Sequence, residues 1–383
     1  MKIAFVYDAV YPWIKGGAER RIFEIGKRLA ARGHEVHLFG VRWWKGESVV
    51  ERQKMILHGV CGPRKLTVRG RRSIFEAIVF SLALLPRLSA ERFDVIDVSA
   101  IPFFPCFSVK LISAFKKTPV IYTWHEVWRG HWFEYLGAAG VIGKLIEAAA
   151  AKLGGTAVAV SSMTRTGLVG LGRAAELVPI VPNGVDVKEI EAVPPAEDVC
   201  DILFAGRMIR DKNLDLLLEA VAFVRKSKPD IRCVIIGDGP EKDRIERLSA
   251  ELGLGNNVRF FGFLDSREVI ARIKSSKVLV LPSRREGFGM IVLEAFAGGI
   301  PVITVDSPQN AAPELVDERC GLVVKAQAEA VGKAVLSLLA DDAARLRMGG
   351  SAVAKARLYD WDGIVEKWLT ICRQVIETKH APL

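Results

Sequence analysis

Lys277-Val-Leu-Val-Leu-Pro-Ser-Arg-Arg-Glu-Gly-Phe-Gly-Met-Ile-Val-Leu-Glu294 is the stretch on which the fold turns. Its opening Lys-Val-Leu-Val-Leu is short, apolar and rich in branched side chains, the pattern of a buried parallel strand. Gly287 and Gly289 then interrupt the chain, and a second apolar run closes at Gly298-Gly299. Strand, glycine turn and helix place Glu286 in the loop at the strand's carboxyl end and Glu294 about two turns into the helix. In open α/β sheets that edge is where ligands bind. A glycine turn entering a helix leaves backbone N–H groups that suit a phosphate. Two acids beside such a site make chemical sense as partners of sugar hydroxyls.

Working outward, apolar runs alternate with amphipathic stretches along the whole chain. In the first half, strands are expected at residues 2–7, 35–39, 94–98, 120–123 and 157–160. A helix is expected over 18–32, with Ile22, Ile25 and Leu29 on one stripe, and a buried or interfacial helix over 74–85. In the second half, strands are expected at 202–205, 233–236, 258–261, 278–281 and 302–305, and a helix over 213–226. This alternation predicts α/β architecture with parallel sheets covered on both faces. A chain of 383 residues accommodates two such domains. Residues 187–199, Glu-Ala-Val-Pro-Pro-Ala-Glu-Asp among them, have the composition of a linker.

No run of 18 apolar residues occurs, so no spanning helix is expected, and the start is a strand rather than a leader. Cys61, Cys106, Cys200, Cys233, Cys320 and Cys372 are scattered without Cys-x-x-Cys spacing, which fits a reduced cytoplasmic protein and no zinc site. The net charge of +10 is uneven. Residues 1–185 carry 26 Lys+Arg against 14 Asp+Glu, and the remainder 28 against 30. A basic first half attracts anionic partners. Trp43-Trp44-Lys45, Arg64-Lys65, Arg69, Arg71-Arg72 and Ile74-Phe75 mix basic and aromatic residues as lipid-headgroup interfaces do. No nucleic-acid recognition motif accompanies the charge.

The context Ser-Arg-Arg-Glu286-Gly-Phe-Gly-Met-x-x-Leu-Glu294-Ala-Phe-Ala-x-Gly-x-Pro-Val-Ile resembles the Glu-x7-Glu motif of retaining glycosyltransferases with two Rossmann-like domains, the group 1 or family 4 type. Further segments are similar in the right order: Gly16-Gly17, Tyr122-Thr-Trp-His125-Glu126, Val181-Pro-Asn-Gly-Val-Asp186, Gly206-Arg207-Met-Ile-Arg-Asp-Lys212-Asn213, Gly237-Asp-Gly-Pro-Glu241 and Phe261-Gly-Phe263-Leu264. The resemblance implies two Rossmann-like domains facing a central cleft. Residues 1–186 would form an acceptor domain, 200–361 a donor domain, and a helix from about 362 to 383 would cross back onto the first. It implies transfer of a hexose from a UDP- or GDP-hexose to an acceptor hydroxyl, on a lipid-linked or cell-envelope glycan, with configuration retained.

The same resemblance assigns roles. Arg207 and Lys212 neutralise the diphosphate, Glu286 holds donor-sugar hydroxyls, Glu294 the ribose, and His125 contacts the donor sugar. Gly16, Gly17, Gly287, Phe288, Gly289, Met290 and Phe263 complete the donor seat. No metal and no bound cofactor are implied, the nucleotide sugar being a co-substrate. The implied place is the cytoplasm, with peripheral contact at an anionic inner membrane face. A sugar-nucleotide epimerase of the same fold and a non-catalytic nucleotide-sugar binding protein are the rival readings. Ser307-Pro-Gln-Asn310 departs from the glycine-rich family segment, which leaves the sugar open.

Overall fold

The structure is a computed structural model that describes residues 1–68 and 71–380. Two compact units emerge, one of residues 1–183 with 361–383, the other of residues 184–360.

The first unit is built on a seven-stranded sheet. Its strands are β1 (Lys2–Val6), β2 (Glu35–Gly40), β3 (Val49–Arg52), β4 (Met55–Gly59), β5 (Val95–Ser99), β6 (Val120–Trp124) and β7 (Thr156–Ala159), in the order β3-β4-β2-β1-β5-β6-β7. All neighbours pair in parallel except β3 and β4. That hairpin escapes the sequence reading because its two-residue turn is Gln53-Lys54. Both residues adopt left-handed backbone (φ 53° and 61°), where asparagine and glycine are the usual signal.

Helix α1 (Gly17–Ala31) buries Ile22, Ile25 and Leu29, the stripe expected of it. Helix α2 (Ile74–Ser89) is capped by the Ser73 hydroxyl and buries Phe80, Leu84 and Leu88 while exposing Ile74, Phe75 and Leu82. It packs against helix α3 (Phe104–Lys116). Arg69 and the side chain of Arg71, expected in the basic-aromatic mixture, lie outside the described residues.

The second unit has a six-stranded sheet, parallel throughout. Its strands are β8 (Cys200–Ala205), β9 (Cys233–Ile236), β10 (Val258–Phe261), β11 (Ser276–Leu281), β12 (Val302–Asp306) and β13 (Gly321–Lys325), in the order β10-β9-β8-β11-β12-β13. Counted within the unit this is 3-2-1-4-5-6, the doubly wound order, whose switch point lies between β8 and β11. The central strands are buried except for Lys277, which is partly exposed, as helices on both faces require.

Residues 187–199, expected as a linker, are held to the second unit by local contacts. Asp186 caps a short helix, Val187–Glu191, whose Val187 and Ile190 are buried with Val193, and Lys274 Nζ donates to the carbonyls of Ile190, Glu191 and Val193. The segment therefore belongs to the second unit. The first unit also ends three residues before Asp186, because Val185 N donates to Tyr359 O and bridges to the strand entering the last helix.

The last helix, α5 (Trp361–His380; α4 is introduced below), belongs to the first unit. Trp361, Ile364, Val365, Trp368 and Cys372 are buried, and the Trp368 ring lies 5.3 Å from that of Phe5. Arg32 pairs with Glu366 at 2.5 Å, tying α5 to α1.

Candidate functional site

In the second unit the loops after β8 and β11 leave the sheet on either side of its switch point. The first contains Gly206–Asn213, the second Pro282–Gly289. They are tied together by backbone: Arg284 N donates to Asp211 O at 2.8 Å, and Asn213 Nδ2 to Pro282 O at 3.3 Å. Asn213 adopts left-handed backbone (φ 53°) and starts the helix Leu214–Arg225. This clamp sets Lys212 beside Glu286. Lys212 Nζ forms an ion pair with Glu286 Oε1, and the Ser283 hydroxyl donates to the same oxygen at 3.0 Å. Both charged side chains are largely buried, at 16% and 13% exposure. Arg207, on the same loop, is exposed and has no ion pair among the described residues.

The Gly237-Asp-Gly239 turn explains itself structurally. A Cβ on Gly237 would lie 1.9 Å from Gly206 O, and one on Gly239 2.4 Å from Met208 O. Its glycines admit the Arg207 loop, held by Met208 N to Asp238 O at 2.8 Å and Glu241 N to Met208 O at 3.0 Å. Close packing of two loops is what these glycines serve.

Glu286 is paired through its backbone to the loop after β12. Arg285-Glu286 runs parallel to Gln309-Asn310, and Ala311 N donates to Glu286 O at 2.9 Å. Asn310 is buried, with Nδ2 donating to Val305 O and Oδ1 accepting from Ala312 N. The segment that departs from the family pattern is thus ordered by its own asparagine.

Gly289 caps helix α4 (Met290–Ala297) in left-handed backbone (φ 92°), with no side-chain cap. Glu294 is the fifth residue of α4, so it stands just over one turn in, not two, because the glycine turn delays the helix. It is partly buried, as are Gly287 and Met290. Phe288 is buried against Tyr359, ring centroids 6.3 Å apart, so only its backbone is open to a ligand. Phe263 is exposed, two residues past Phe261, whose ring carries Arg272 at 3.8 Å.

Gly16, Gly17 and His125 belong to the first unit. Gly16 precedes α1, but the Glu19 carboxylate already lies over it: a Cβ there would meet Glu19 Oε2 at 2.5 Å. An anion at this helix start would have to share it with that carboxylate. His125 directly follows β6, and its Nε2 is 3.3 Å from the Ser99 hydroxyl. Burial, aided by the Arg21 guanidinium, pushes its imidazole down to about 3, so it is neutral at physiological pH. Arg21 itself is buried in α1, where its Nη1 donates to Pro182 O (2.6 Å) and Asn183 Oδ1 (3.1 Å). Burial pushes it down to about 10. Asp97 accepts from Thr123 Oγ1 and Trp368 Nε1, each at 2.7 Å, and burial raises its carboxyl above the ordinary range.

Residues 186–354 match the family described as Glycosyl transferases group 1, and residues 15–189 match Glycosyltransferase Family 4. The chain belongs to the group 1 and family 4 glycosyltransferases. A D-inositol 3-phosphate glycosyltransferase of Streptomyces avermitilis is 33% identical over 43% of this chain and 38% of its own length. A GDP-mannose-dependent monoacylated alpha-(1-6)-phosphatidylinositol monomannoside mannosyltransferase of Corynebacterium glutamicum is 28% identical over 50% of this chain and 55% of its own. The chain therefore spans 38% and 55% of the length of these curated relatives. In fold, it superimposes on a sucrose-phosphate synthase of Thermosynechococcus elongatus with a TM-score of 0.84 at 22% identity, over 98% of this chain and 99% of that one. The α/β fold is the two-Rossmann-domain, or GT-B, fold.

This glycosyltransferase chain carries further clusters that the sequence reading missed. Asp8, two residues past β1, pairs with Arg72, whose backbone N–H donates to Tyr135 Oη at 2.5 Å. Glu76, in the first turn of α2, is buried nearby. Among the described residues, neither Glu76 oxygen, nor Asp8 Oδ2, nor Arg72 Nε has a hydrogen-bond partner by geometry. Burial, reinforced by Asp8, pushes Glu76 up to about 8. Pairing of β2 with β4 also brings His37 and His58 together, with Glu91 beside them. These residues are 21 and 54 positions apart along the chain, so spacing gave no sign of them.

Proposed function

We propose that the protein transfers a hexose from a UDP- or GDP-hexose to an acceptor hydroxyl, with retention of anomeric configuration. The observation that carries this reading is the placing of Arg207, Lys212 and Glu286 on two clamped loops at the switch point of the second sheet.

A departing nucleoside diphosphate gains charge as the glycosidic bond breaks. Fixed cations aimed at it lower the barrier. Lys212 and Arg207 are such cations, and the reading needs no metal among the site's groups. In the free protein Lys212 is neutralised by Glu286. A diphosphate arriving at Lys212 competes for that ammonium and releases the Glu286 carboxylate to accept hydrogen bonds from sugar hydroxyls. Glu294, one turn into α4, is assigned to the ribose, and the N–H groups around Gly287–Gly289 to the donor's seat. In the transfer step the acceptor oxygen bonds to the anomeric carbon on the face the phosphate leaves. The electron pair of the broken bond stays on the phosphate oxygen, which takes the acceptor's proton. His125, neutral and partly buried, serves as a hydrogen-bonding contact to the donor sugar rather than a proton carrier.

For the acceptor, the relatives named for inositol phosphate and for a phosphatidylinositol mannoside support a polyol or lipid-linked alcohol. The first unit supports a lipid-linked one: α2 exposes Ile74, Phe75, Ile78 and Leu82, with the Arg64 guanidinium 5.3 Å above the Phe75 ring. An apolar stripe edged by cations suits peripheral contact with an anionic cytoplasmic leaflet. No helix among the described residues is long and apolar enough to cross a membrane.

The test is thermal stabilisation by UDP, GDP, ADP and their hexose conjugates, with Arg207→Ala alongside. A ligand of the native state raises the melting point by mass action. One nucleotide should give a rise that depends on Arg207. No rise with any of them would overturn the donor-site reading.

A further inference from the structure

We infer that His37 Nδ1, His58 Nε2 and a Glu91 carboxylate oxygen form a binding site for a divalent transition metal, with zinc the best match. It lies in the first unit and is separate from the transfer chemistry.

One ligand atom from each of the three residues lies within 4.8 Å of the other two, and His37 Nδ1 and His58 Nε2 are 2.8 Å apart. His37 sits on β2 and His58 on β4. In this parallel pair His58 is opposite Phe39, so both imidazoles project from one face of the sheet. Glu91 reaches the same place from the chain between α2 and β5. The rings are fixed by their neighbours. His58 stacks on Phe39 with centroids 4.3 Å apart and 7° between planes, and His37 lies nearly parallel to His58 and edge-on to Phe93.

The hydrogen bonds orient the lone pairs. Glu35 Oε1 lies 3.0 Å from His37 Nε2. A carboxylate can only accept, so Nε2 carries the proton and Nδ1 presents its lone pair. That lone pair points at His58 Nε2, 2.8 Å away. A carboxylate on the far nitrogen of an imidazole is the arrangement that orients metal-ligating histidines. In the free protein the pair shares one proton, donated by His58 Nε2 to His37 Nδ1. A metal takes its place, and that proton leaves or moves to His58 Nδ1. Tetrahedral zinc with bonds of about 2.0–2.1 Å needs the two nitrogens to part by only about half an ångström.

Lys2 pairs with both Glu35 (2.8 Å) and Glu91 (2.6 Å), and the Arg87 guanidinium also acts on His58, so the site's own carboxylate must come from Glu91 turning away from Lys2. Glu91 can turn to the metal while Lys2 keeps Glu35. Two imidazoles and one carboxylate, with water in the fourth position, form a donor set zinc accepts well. Lys2 and Glu35 begin their strands and Glu91 precedes β5, so the site lies toward the edge opposite the loops of Asp8, Ser99 and His125. A metal there would pin β2, β4 and the α2–β5 connection together, a stabilising role.

The full chain, stripped with a chelator, would be dialysed against zinc and then against cobalt. One zinc per chain is expected, with visible cobalt bands of a four-coordinate nitrogen and oxygen site and a raised melting point. His58→Ala and Glu91→Gln should each weaken zinc binding tenfold or more, while His34→Ala, which removes a histidine close to the amino terminus, should not. Glu91→Gln keeps the test open if the histidine variant folds poorly. Stabilisation by a nucleotide diphosphate should be the same in Glu91→Gln as in the parent, so a failure of the donor-site reading would be seen separately. No retained zinc, or zinc retained equally by His58→Ala and Glu91→Gln, would overturn the inference.

Discussion

The two sheets treat charge differently at their carboxyl edges. In the second unit the charged groups stand on loops and satisfy one another: Lys212 holds Glu286, Ser283 supports the same oxygen, and Arg207 stays in solvent. In the first unit they are buried in helices and strand ends, and several go short of partners. Among the described residues, Arg21 Nη2, Asp8 Oδ2 and both Glu76 oxygens have none. A loop charge with an exchangeable partner can be handed to a ligand at little cost. A buried charge with unmet hydrogen bonds costs stability in the free protein, a cost the surrounding fold must offset. On the donor-site reading, the second unit's loop charges are the ones a charged ligand can take up, while the first unit holds its polar groups in place.

That contrast can be broken by substitution. The largest effect should fall on the exposed side. Arg207→Ala should reduce transfer by about 10²–10³-fold, the usual scale for losing one transition-state charge partner, while its melting point stays within a degree or two of the parent. A matching loss of stability, read by calorimetry, would make Arg207 structural. The buried side should behave in the opposite way. Arg21→Met strips two buried acceptors, Pro182 O and Asn183 Oδ1, of their donor. A loss of about 2–4 kcal/mol is expected in denaturant unfolding.

The effect of the acid pair appears only as pH changes. Glu76 has a folded pKa raised to about 8, so between roughly pH 4.5 and 8 the native state holds a proton that the unfolded chain has lost. Stability contributed by this group therefore falls as pH rises through that window, by at most about 1.4 kcal/mol per pH unit. Glu76→Gln should flatten this slope and be the more stable protein at pH 8, with the advantage gone near pH 4. An unchanged slope would show that the pair is solvated. The smallest effect concerns His125, lowered to about 3. The unfolded imidazole binds a proton below about 6.5 and the native one does not, so its contribution is lost as pH falls from 6.5 toward 3. His125→Asn should soften that acid limb slightly, because native carboxylates share it. Transfer by the parent should show no titration of an imidazole near neutrality.

The same contrast explains what the sequence disclosed. Glu286, Lys212 and Arg207 were legible because glycines and strand ends bracket them, and that local grammar survives in one dimension. The parallel strands of both sheets were legible from their unbroken apolar runs. Arg21 and Glu76 were not, since a charged residue on an amphipathic helix reads as solvated until the tertiary packing buries it. The β3–β4 hairpin was hidden by a turn of Gln53 and Lys54. The helix after Asp186 was hidden by prolines that follow it, though its cap and its buried valines hold it to the second unit. His37, His58 and Glu91 meet only through strand register. Glu294 was placed a turn too deep because a left-handed glycine starts its helix late.

The exchange of Lys212 from Glu286 to a donor diphosphate is the centre of this account. It is tested most directly by titrating UDP and GDP calorimetrically into the parent, Glu286→Gln and Arg207→Ala. One of the two nucleotides should bind the parent. Glu286→Gln should bind it as tightly or several-fold more tightly, since Lys212 no longer has a carboxylate to leave, yet should fail in transfer. Arg207→Ala should bind it at least tenfold more weakly. If neither nucleotide binds the parent, or if Glu286→Gln loses diphosphate affinity as Arg207→Ala does, the exchange does not occur.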